Sequence, residues 1–405
     1  MSASMSATDL LASQTAVPAC PSCASSDVRV FYRVDGAPVH SVLLMNTPEI
    51  AKAFPRRNIA LGLCRHCGFI SNTEFDPSVH SYSGEYEETQ GFSPTFRAFH
   101  EKLAANIIES WGIHDKTVIE VGCGKGEFLS LLCRLGNNRG IGIDPAFVAE
   151  RNPARDCEVE FIADFYSEEY ADRKADAIIC KMTLEHIPQT FDFVSLVRRS
   201  IGEKQDTIVF FQVPDAQRIL ADTAFQDIYY EHCSYFTASA LARLFRRCGF
   251  EVREVKTEYD GQYLTIVAQP ARTVQMAASA TSRDTRELER QVDAFSARST
   301  LAIQAWKKRV RRFASEGRRA VIWGSGSKGV AFLTATGADE EISYVVDINP
   351  YRQGKFMAGT GHRIVSPAQL RTEPPDVVIA MNSIYRNEIQ RSLDELGVRA
   401  ELLAL

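Results

Sequence analysis

The sequence predicts an α/β protein with two Rossmann-like units, preceded by a small cysteine-bearing module and joined by a long helix. Three stretches carry this expectation: Thr117-Val-Ile-Glu-Val121 running into Gly122-Cys-Gly-Lys-Gly126, Ala320-Val-Ile-Trp323 running into Gly324-Ser-Gly-Ser-Lys-Gly329, and the pairs Cys20-Pro-Ser-Cys23 and Cys64-Arg-His-Cys67. An apolar strand that breaks on glycines and resumes at helical spacing is how one strand of a parallel sheet hands the chain to a covering helix.

At 405 residues the chain exceeds what one core usually supports, so several units are expected. Residues 1–19 are Ser/Ala-rich, without the basic start and apolar middle of a signal peptide, and are read as a loose tail. Residues 20–80 hold the cysteine pairs and no long helical period. Residues 81–270 alternate helix and strand in the manner of an α/β unit. There the spacing predicts helices over Phe96–Ser110, Glu127–Leu135 and Ala238–Cys248, and strands at Gly140–Ile143, Ala175–Cys180 and Thr207–Val213. Glu251–Thr257 and Tyr263–Ala268, flanking Asp260-Gly261, predict a closing antiparallel pair.

Over 271–318, Leu288, Val292, Phe295, Ile303, Trp306, Val310 and Phe313 keep a three-four spacing broken only at Ser299, which predicts a long amphipathic helix or a helical pair. Its basic run Lys307-Lys-Arg-Val-Arg-Arg312 reads as a solvated outer face. Residues 319–405 form the second Rossmann-like unit, with strands expected at Ile342–Asp347 and Asp376–Met381.

Composition narrows the partners. Fifty-one acidic against 46 basic residues leave a net charge of −5, which offers polyanions no general attraction, so nucleic acid is not an expected partner. No apolar run nears the roughly 20 residues that span a bilayer, and a cytoplasmic protein, monomeric or weakly dimeric, is expected. Of ten cysteines, Cys20, Cys23, Cys64 and Cys67 fall into two knuckle-like pairs, and four soft thiolates suit a tetrahedral structural Zn²⁺.

In the first glycine turn, Glu120 stands two residues before Gly122, and Asp144 ends the next strand. Gly-x-Gly-x-Gly after an acid-bearing strand resembles motif I of class I methyltransferases and differs from the Gly-x-Gly-x-x-Gly of dinucleotide binders. That resemblance implies S-adenosylmethionine as cofactor, with Gly122, Gly124 and Gly126 letting the backbone approach it. It also implies Asp144 on the ribose hydroxyls, Asp164 on the adenine amino group and Glu120 at the methionine end, carboxylates being acceptors only. Lys181 and Met182, after the fourth strand, are candidates for the same cleft.

Two histidine-bearing segments follow strand ends: Thr183-Leu-Glu-His-Ile-Pro188 and Ile228-Tyr-Tyr-Glu-His-Cys-Ser-Tyr-Phe236. If a methyl group goes to a carbon beside a carbonyl, a base must first remove a proton, and histidine suits that near neutral pH with a carboxylate to orient it. The dense polar set Tyr229, Glu231 and His232 points to such use, whereas for His186 a satisfied loop histidine and a catalytic one stay equal readings.

Over residues 20–400 the chain then resembles the three-domain, zinc-containing sugar C-methyltransferases acting on keto sugars linked to thymidine diphosphate. The resemblance rests on the four cysteines, the methyltransferase core, Tyr229 to His232 with Ser234-Tyr-Phe236, and Trp323 to Gly329 with Val346-Asp-Ile-Asn-Pro350. It implies His232 as the base that takes the proton α to a 4-keto group, assisted by Glu231, Tyr229 and His186. It also implies a nucleotide-sugar substrate held partly by the second unit, where Gly324, Gly326 and Gly329 would bring amides to a diphosphate, Lys328 would add charge, and Asn349, Asn382 and Tyr385 would supply further contacts. Tyr82 to Ser93 lacks the His-Ser-Ser-type stretch of those enzymes, and Ala358-Gly-Thr-Gly-His362 replaces their Pro-Gly-Thr-His. An O- or N-methyltransferase with the same core, a zinc-bearing nucleic-acid binder and a nicotinamide site at the second turn are the competing readings.

Overall fold

The computed structural model describes residues 17–79, 82–152, 156–273, 280 and 282–405; of the expected tail, residues 1–16 lie outside this set. Three sheets form the framework. The first contains β1 (Val28–Pro38), β2 (Arg56–Cys64) and β3 (Ile70–Asn72), all antiparallel. Its fourth strand comes from far downstream: β9 (Ser234–Tyr235) sets Tyr235 opposite Ile70 and Ser234 opposite Ser71. The cysteine-bearing sheet is thus completed by residues that directly follow His232.

The second sheet holds β4 (Thr117–Val121), β5 (Arg139–Ile143), β6 (Val159–Ile162), β7 (Ala177–Lys181), β8 (Ile208–Pro214), β10 (Phe250–Glu258) and β11 (Tyr263–Pro270), in the order β10-β11-β8-β7-β4-β5-β6. Strands β4 to β8 are parallel, and β11 runs antiparallel between β8 and β10. Strand order reverses between β4 and β7, which opens a crevice at their C-terminal ends where ligands of such sheets collect. The helix Pro94–Trp111 beside this edge starts where Ser93 Oγ accepts the Phe96 amide at 3.2 Å and stops at Gly112, whose φ of +62° ends the helical run.

The third sheet is parallel throughout, with β12 (Ala320–Trp323), β13 (Ile342–Val346), β14 (Ile364–Val365), β15 (Val377–Ala380) and β16 (Glu401–Ala404) in the order β14-β13-β12-β15-β16. One uninterrupted helix, Ser282–Ser315, joins the sheets, so the single-helix reading holds through Ser299, which is buried. Its first half packs Leu288, Val292 and Phe295 on the first sheet, with Phe295 edge-on to Tyr32 at 5.1 Å. Its second half packs Val310 and Phe313 with Phe332 under the third sheet. Among the described residues no helix is long and apolar enough to cross a membrane.

Candidate active site

A cavity of about 500 Å³ lies between the C-terminal edges of the second and third sheets. The segment 82–93 covers it, and the two glycine turns stand at its opposite ends.

At the first end, Gly122, Gly124 and Gly126 all adopt left-handed φ values of +72°, +54° and +80°. A Cβ on Gly122 would meet Thr183 Oγ1 at 2.0 Å, so no other residue fits there. Asp144 ties the turn to β5, accepting from Gly124 N at 2.8 Å and Ala146 N at 2.7 Å. Burial pushes its carboxyl up, and these two amides oppose the shift. Glu120 is buried at the end of β4, burial raises its pKa against the pull of Lys181, and its Oε2 has no hydrogen-bond partner among the described residues. Lys181 lies 3.2 Å from His100 Nε2 and over the Phe128 ring, and burial lowers its pKa. Burial and the Lys181 charge hold His100 down at about 2, so it stays neutral.

In the middle, Glu185, His186 and His232 each bring one polar atom within 4.8 Å of the others. Tyr229 Oη and His232 Nε2 share a 2.8 Å hydrogen bond, and the His186 and His232 rings meet edge to face at 4.9 Å. Burial, reinforced by His186 and Lys328, depresses His232 well below the usual imidazole range. Burial takes His186 to about 4 and raises Glu185 to about 8. Glu231 is the exception among these buried groups. Burial raises its pKa, but His40 against one oxygen, a hydrogen bond from Ser41 to the other and the proximity of His186 outweigh that and leave it lowered, hence ionised.

At the far end, Ser325 N donates to Asp347 Oδ2 at 2.9 Å, and the helix Ser327–Thr336 starts from this turn. Lys328 donates to Asp227, which Arg218 also grips, so its charge is shared with a carboxylate before any ligand arrives.

Residues 95–255 match the family described as "Methyltransferase domain", and residues 264–400 match "C-methyltransferase C-terminal domain". The chain is an S-adenosylmethionine-dependent methyltransferase. It is 28% identical over 347 residues to the C-methyltransferase NovU of Streptomyces niveus, a match spanning 81% of this chain and 80% of that one. Among solved structures, the 1,6-didemethyltoxoflavin-N1-methyltransferase of Burkholderia thailandensis shares 16% identity with a TM-score of 0.34, covering 44% of this chain and 81% of its own. The magnesium protoporphyrin IX methyltransferase of Synechocystis PCC 6803 shares 14% with a TM-score of 0.35, covering 44% of this chain and 84% of its own.

In this methyltransferase, Glu120, Gly122, Gly124, Asp144, Lys181, His186, Tyr229 and His232 line one cavity, and Gly324, Gly326, Lys328, Asn349, Asn382 and Tyr385 line it from the other side. Gly126 and Glu231 stand behind the wall. Asp164 does not turn toward the cavity: it accepts from Tyr170 Oη at 2.6 Å and from the Phe165 amide at 2.7 Å, so its neighbour Phe165, 59% exposed, faces the cofactor end instead. Three expected substrate contacts are engaged elsewhere. Asn349 Nδ2 donates to Glu87 at 2.9 Å, Asn382 and Gln262 exchange hydrogen bonds at 2.8 and 3.2 Å, and Tyr385 Oη accepts from Tyr259 at 2.9 Å and donates to Gln90 at 3.1 Å. They join the second unit to the covering segment and the central sheet.

The sequence reading missed Glu87, Glu88, Lys125 and Arg352. Glu87 takes a two-pronged ion pair from Arg151 at 2.5 and 3.0 Å, while Arg352 Nε donates to its carbonyl at 3.1 Å. Glu88, raised to about 7 chiefly by burial, presses on Gly124, where a Cβ would lie 2.5 Å from its Oε1. Lys125, buried inside the motif, donates to Tyr86 O at 2.9 Å and Ala146 O at 2.7 Å. The only available signal was the charge-rich stretch Glu85 to Glu88, which reads as a solvated loop until a fold closes over it.

Proposed function

We propose that this methyltransferase transfers a methyl group to the carbon beside the keto group of a nucleotide-linked sugar, through an enolate. The observation that carries the reading is a neutral, buried imidazole, His232, hydrogen-bonded to Tyr229 in the cavity that both glycine turns line. In this scheme His232 takes the α proton, and the C–H electrons move toward the carbonyl oxygen. The carbanion then forms the new C–C bond as the S–CH₃ bond breaks and its electron pair stays on sulfur. Tyr229, whose hydroxyl burial holds protonated, donates toward His232 or the enolate oxygen, while Glu231 and His186 orient the base.

Glu120, Asp144 and Lys181 would hold the donor, and Phe165, beside Asp164, would offer a face to its adenine. The amides of Gly324, Gly326 and Ser327, with Lys328, serve the diphosphate, while Asn349, Asn382 and Tyr385 shape that end. Mass spectrometry of products from labelled cofactor and a panel of nucleotide-linked keto sugars tests the acceptor. Deuterium washout from the α carbon tests the enolate, and methylation without washout would instead indicate an oxygen or nitrogen acceptor. His232→Ala is expected to abolish turnover while cofactor affinity stays near that of the parent; an unchanged rate removes His232 from the mechanism.

The four cysteines fit a structural zinc ion. Cys20 and Cys67 sulfurs lie 3.7 Å apart, Cys23 and Cys64 3.5 Å, and all four fall within 4.8 Å of one another. A tetrahedron with Zn–S bonds of about 2.3 Å has edges of about 3.8 Å, and four protein ligands leave no position for an activated water. Metal analysis of the purified protein should find one equivalent of zinc, which Cys64→Ala should lose together with several degrees of melting temperature.

A further inference from the structure

The cysteine-bearing sheet sends one stretch of chain into the reacting centre. After β1 ends at Pro38 the backbone is held on both sides: Glu87 N donates to Val42 O at 3.0 Å, and Phe356 N donates to Met45 O at 3.0 Å. Thus pinned between the covering segment and the third sheet's unit, the stretch buries His40 and Ser41 against Glu231. His40 Nδ1 lies 3.4 Å from Glu231 Oε1, its ring wedged against the edges of Tyr82 and Tyr86. Ser41 Oγ donates to Glu231 Oε2 and lies 2.7 Å from Ser327 Oγ. A hydroxyl has one proton, and since a carboxylate only accepts, Ser41 must receive its second bond from Ser327. One serine therefore joins all three sheets at the carboxylate next to His232.

Glu231 faces titratable groups from several elements: His40 from the stretch after β1, His186 from the turn after β7, Tyr82 and Tyr86 from the covering segment, and Tyr229 from its own loop. The His186 ring is hydrogen-bonded to the Glu231 backbone, its Nδ1 lies 3.1 Å from Tyr82 Oη, and its edge meets His232. A shift of Glu231 would reach His232 through that ring. An ionised carboxylate this deeply buried persists only while polar groups hold it, and among the described residues those that the central sheet does not itself supply are Ser41, which donates to Oε2, and His40, whose Nδ1 lies 3.4 Å from Oε1.

We propose that His40 and Ser41 are positioning residues for proton removal, clamping Glu231 so that His186 and His232 keep their geometry. On this view the cysteine-bearing sheet serves turnover as well as stability. The proposal rests on the enolate reading above, so its test has one arm that needs no substrate.

In the full zinc-loaded chain, Ser41→Ala and His40→Ala should each slow deuterium washout about tenfold, the effect of losing one hydrogen bond to a charged group. Ser41→Thr and His40→Asn, which restore a donor, should recover most of that rate. Acceptor KM and cofactor Kd should stay within about twofold of the parent, because neither side chain lines the cavity. Without substrate, the ¹⁵N imidazole resonances of His186 and His232 should move in the alanine variants and return in the donor-restoring ones. Unmoved resonances overturn the clamp whatever the substrate proves to be. Moved resonances with unchanged washout in an active enzyme overturn its role in turnover, and failure of both restoring variants at parental melting temperature does the same. If the parent washes out no deuterium from any sugar, the enolate reading fails and the resonances alone judge the clamp.

Discussion

The two glycine turns are built alike and surrounded differently. Each follows the middle one of five parallel strands, and each is locked by an acid ending the neighbouring strand: Asp144 on Gly124 N at 2.8 Å, Asp347 on Ser325 N at 2.9 Å. Around the first stand Glu88, Glu120, Glu127 and Asp144, their carboxyl pKa values all raised by burial, with Lys125 and Lys181 among them. Around the second stand Lys328 and Arg352, paired with Asp227 and Asp347. The backbone is built alike at the two turns; the side chains around them differ.

The largest effect that would break this comparison comes from adding one methyl group to each turn. Gly122→Ala meets Thr183 Oγ1 at 2.0 Å at a φ of +72° and should abolish measurable cofactor binding by calorimetry. Gly324→Ala has its nearest neighbour, Met381 Cβ, at 3.6 Å, so it should cost only the left-handed strain of about 1–2 kcal/mol and leave cofactor affinity intact. Equal losses of cofactor binding in the two variants would refute the division of labour.

Next in size, Asp144→Asn and Asp347→Asn each remove a charged acceptor from one lock. Each should weaken its own ligand, by about tenfold to a hundredfold, and leave the other's affinity within error in parallel titrations.

A third test lies between the turns and uses pH. With His186 near 4 and His232 well below the ordinary imidazole value, both rings stay neutral as pH falls through 6.5, so the acidic limb of kcat should lie below pH 6. A limb at 6.5 would mean that the imidazoles are exposed in the working enzyme. The same depression acts on stability. Between 6.5 and about 4 the unfolded chain takes up a proton on His186 that the folded chain refuses, so its contribution is whole above 6.5 and is lost as pH falls toward 4. The smallest effect belongs to the basic run on the long helix: Lys307→Ala or Lys308→Ala should change activity and melting temperature negligibly, as expected of a solvated face.

Much of the frame was legible because it depends on local rules. Strand Thr117–Val121 emerges with the bounds read from its apolar run, and Asp260-Gly261 does sit between antiparallel strands. The helix bearing Leu288 to Phe313 follows its period through Ser299. Residues near one another in the chain, such as Tyr229 and His232, or Glu120 and Gly122, also came together as expected.

What escaped reading was contact across long separation. Asn349, Asn382 and Tyr385 are polar residues after strand ends, like any ligand contact, yet their partners 120 to 295 residues away make them joints between units. Asp164 has the right spacing for the cofactor, but a bond to Tyr170 turns it outward.

From its amino acids alone, this chain's periodicities, glycine positions and cysteine pairs determined the elements and the donor-binding turn, since each depends on backbone preferences acting within a few residues. Only the tertiary structure decided that Ser234–Tyr235 completes the first sheet, that Glu87 anchors the covering segment, and that His40 and Ser41 hold Glu231. Burial is the reason. A buried charge or an open sheet edge must find a partner once water is excluded, and the partner it takes is set by what the fold brings near.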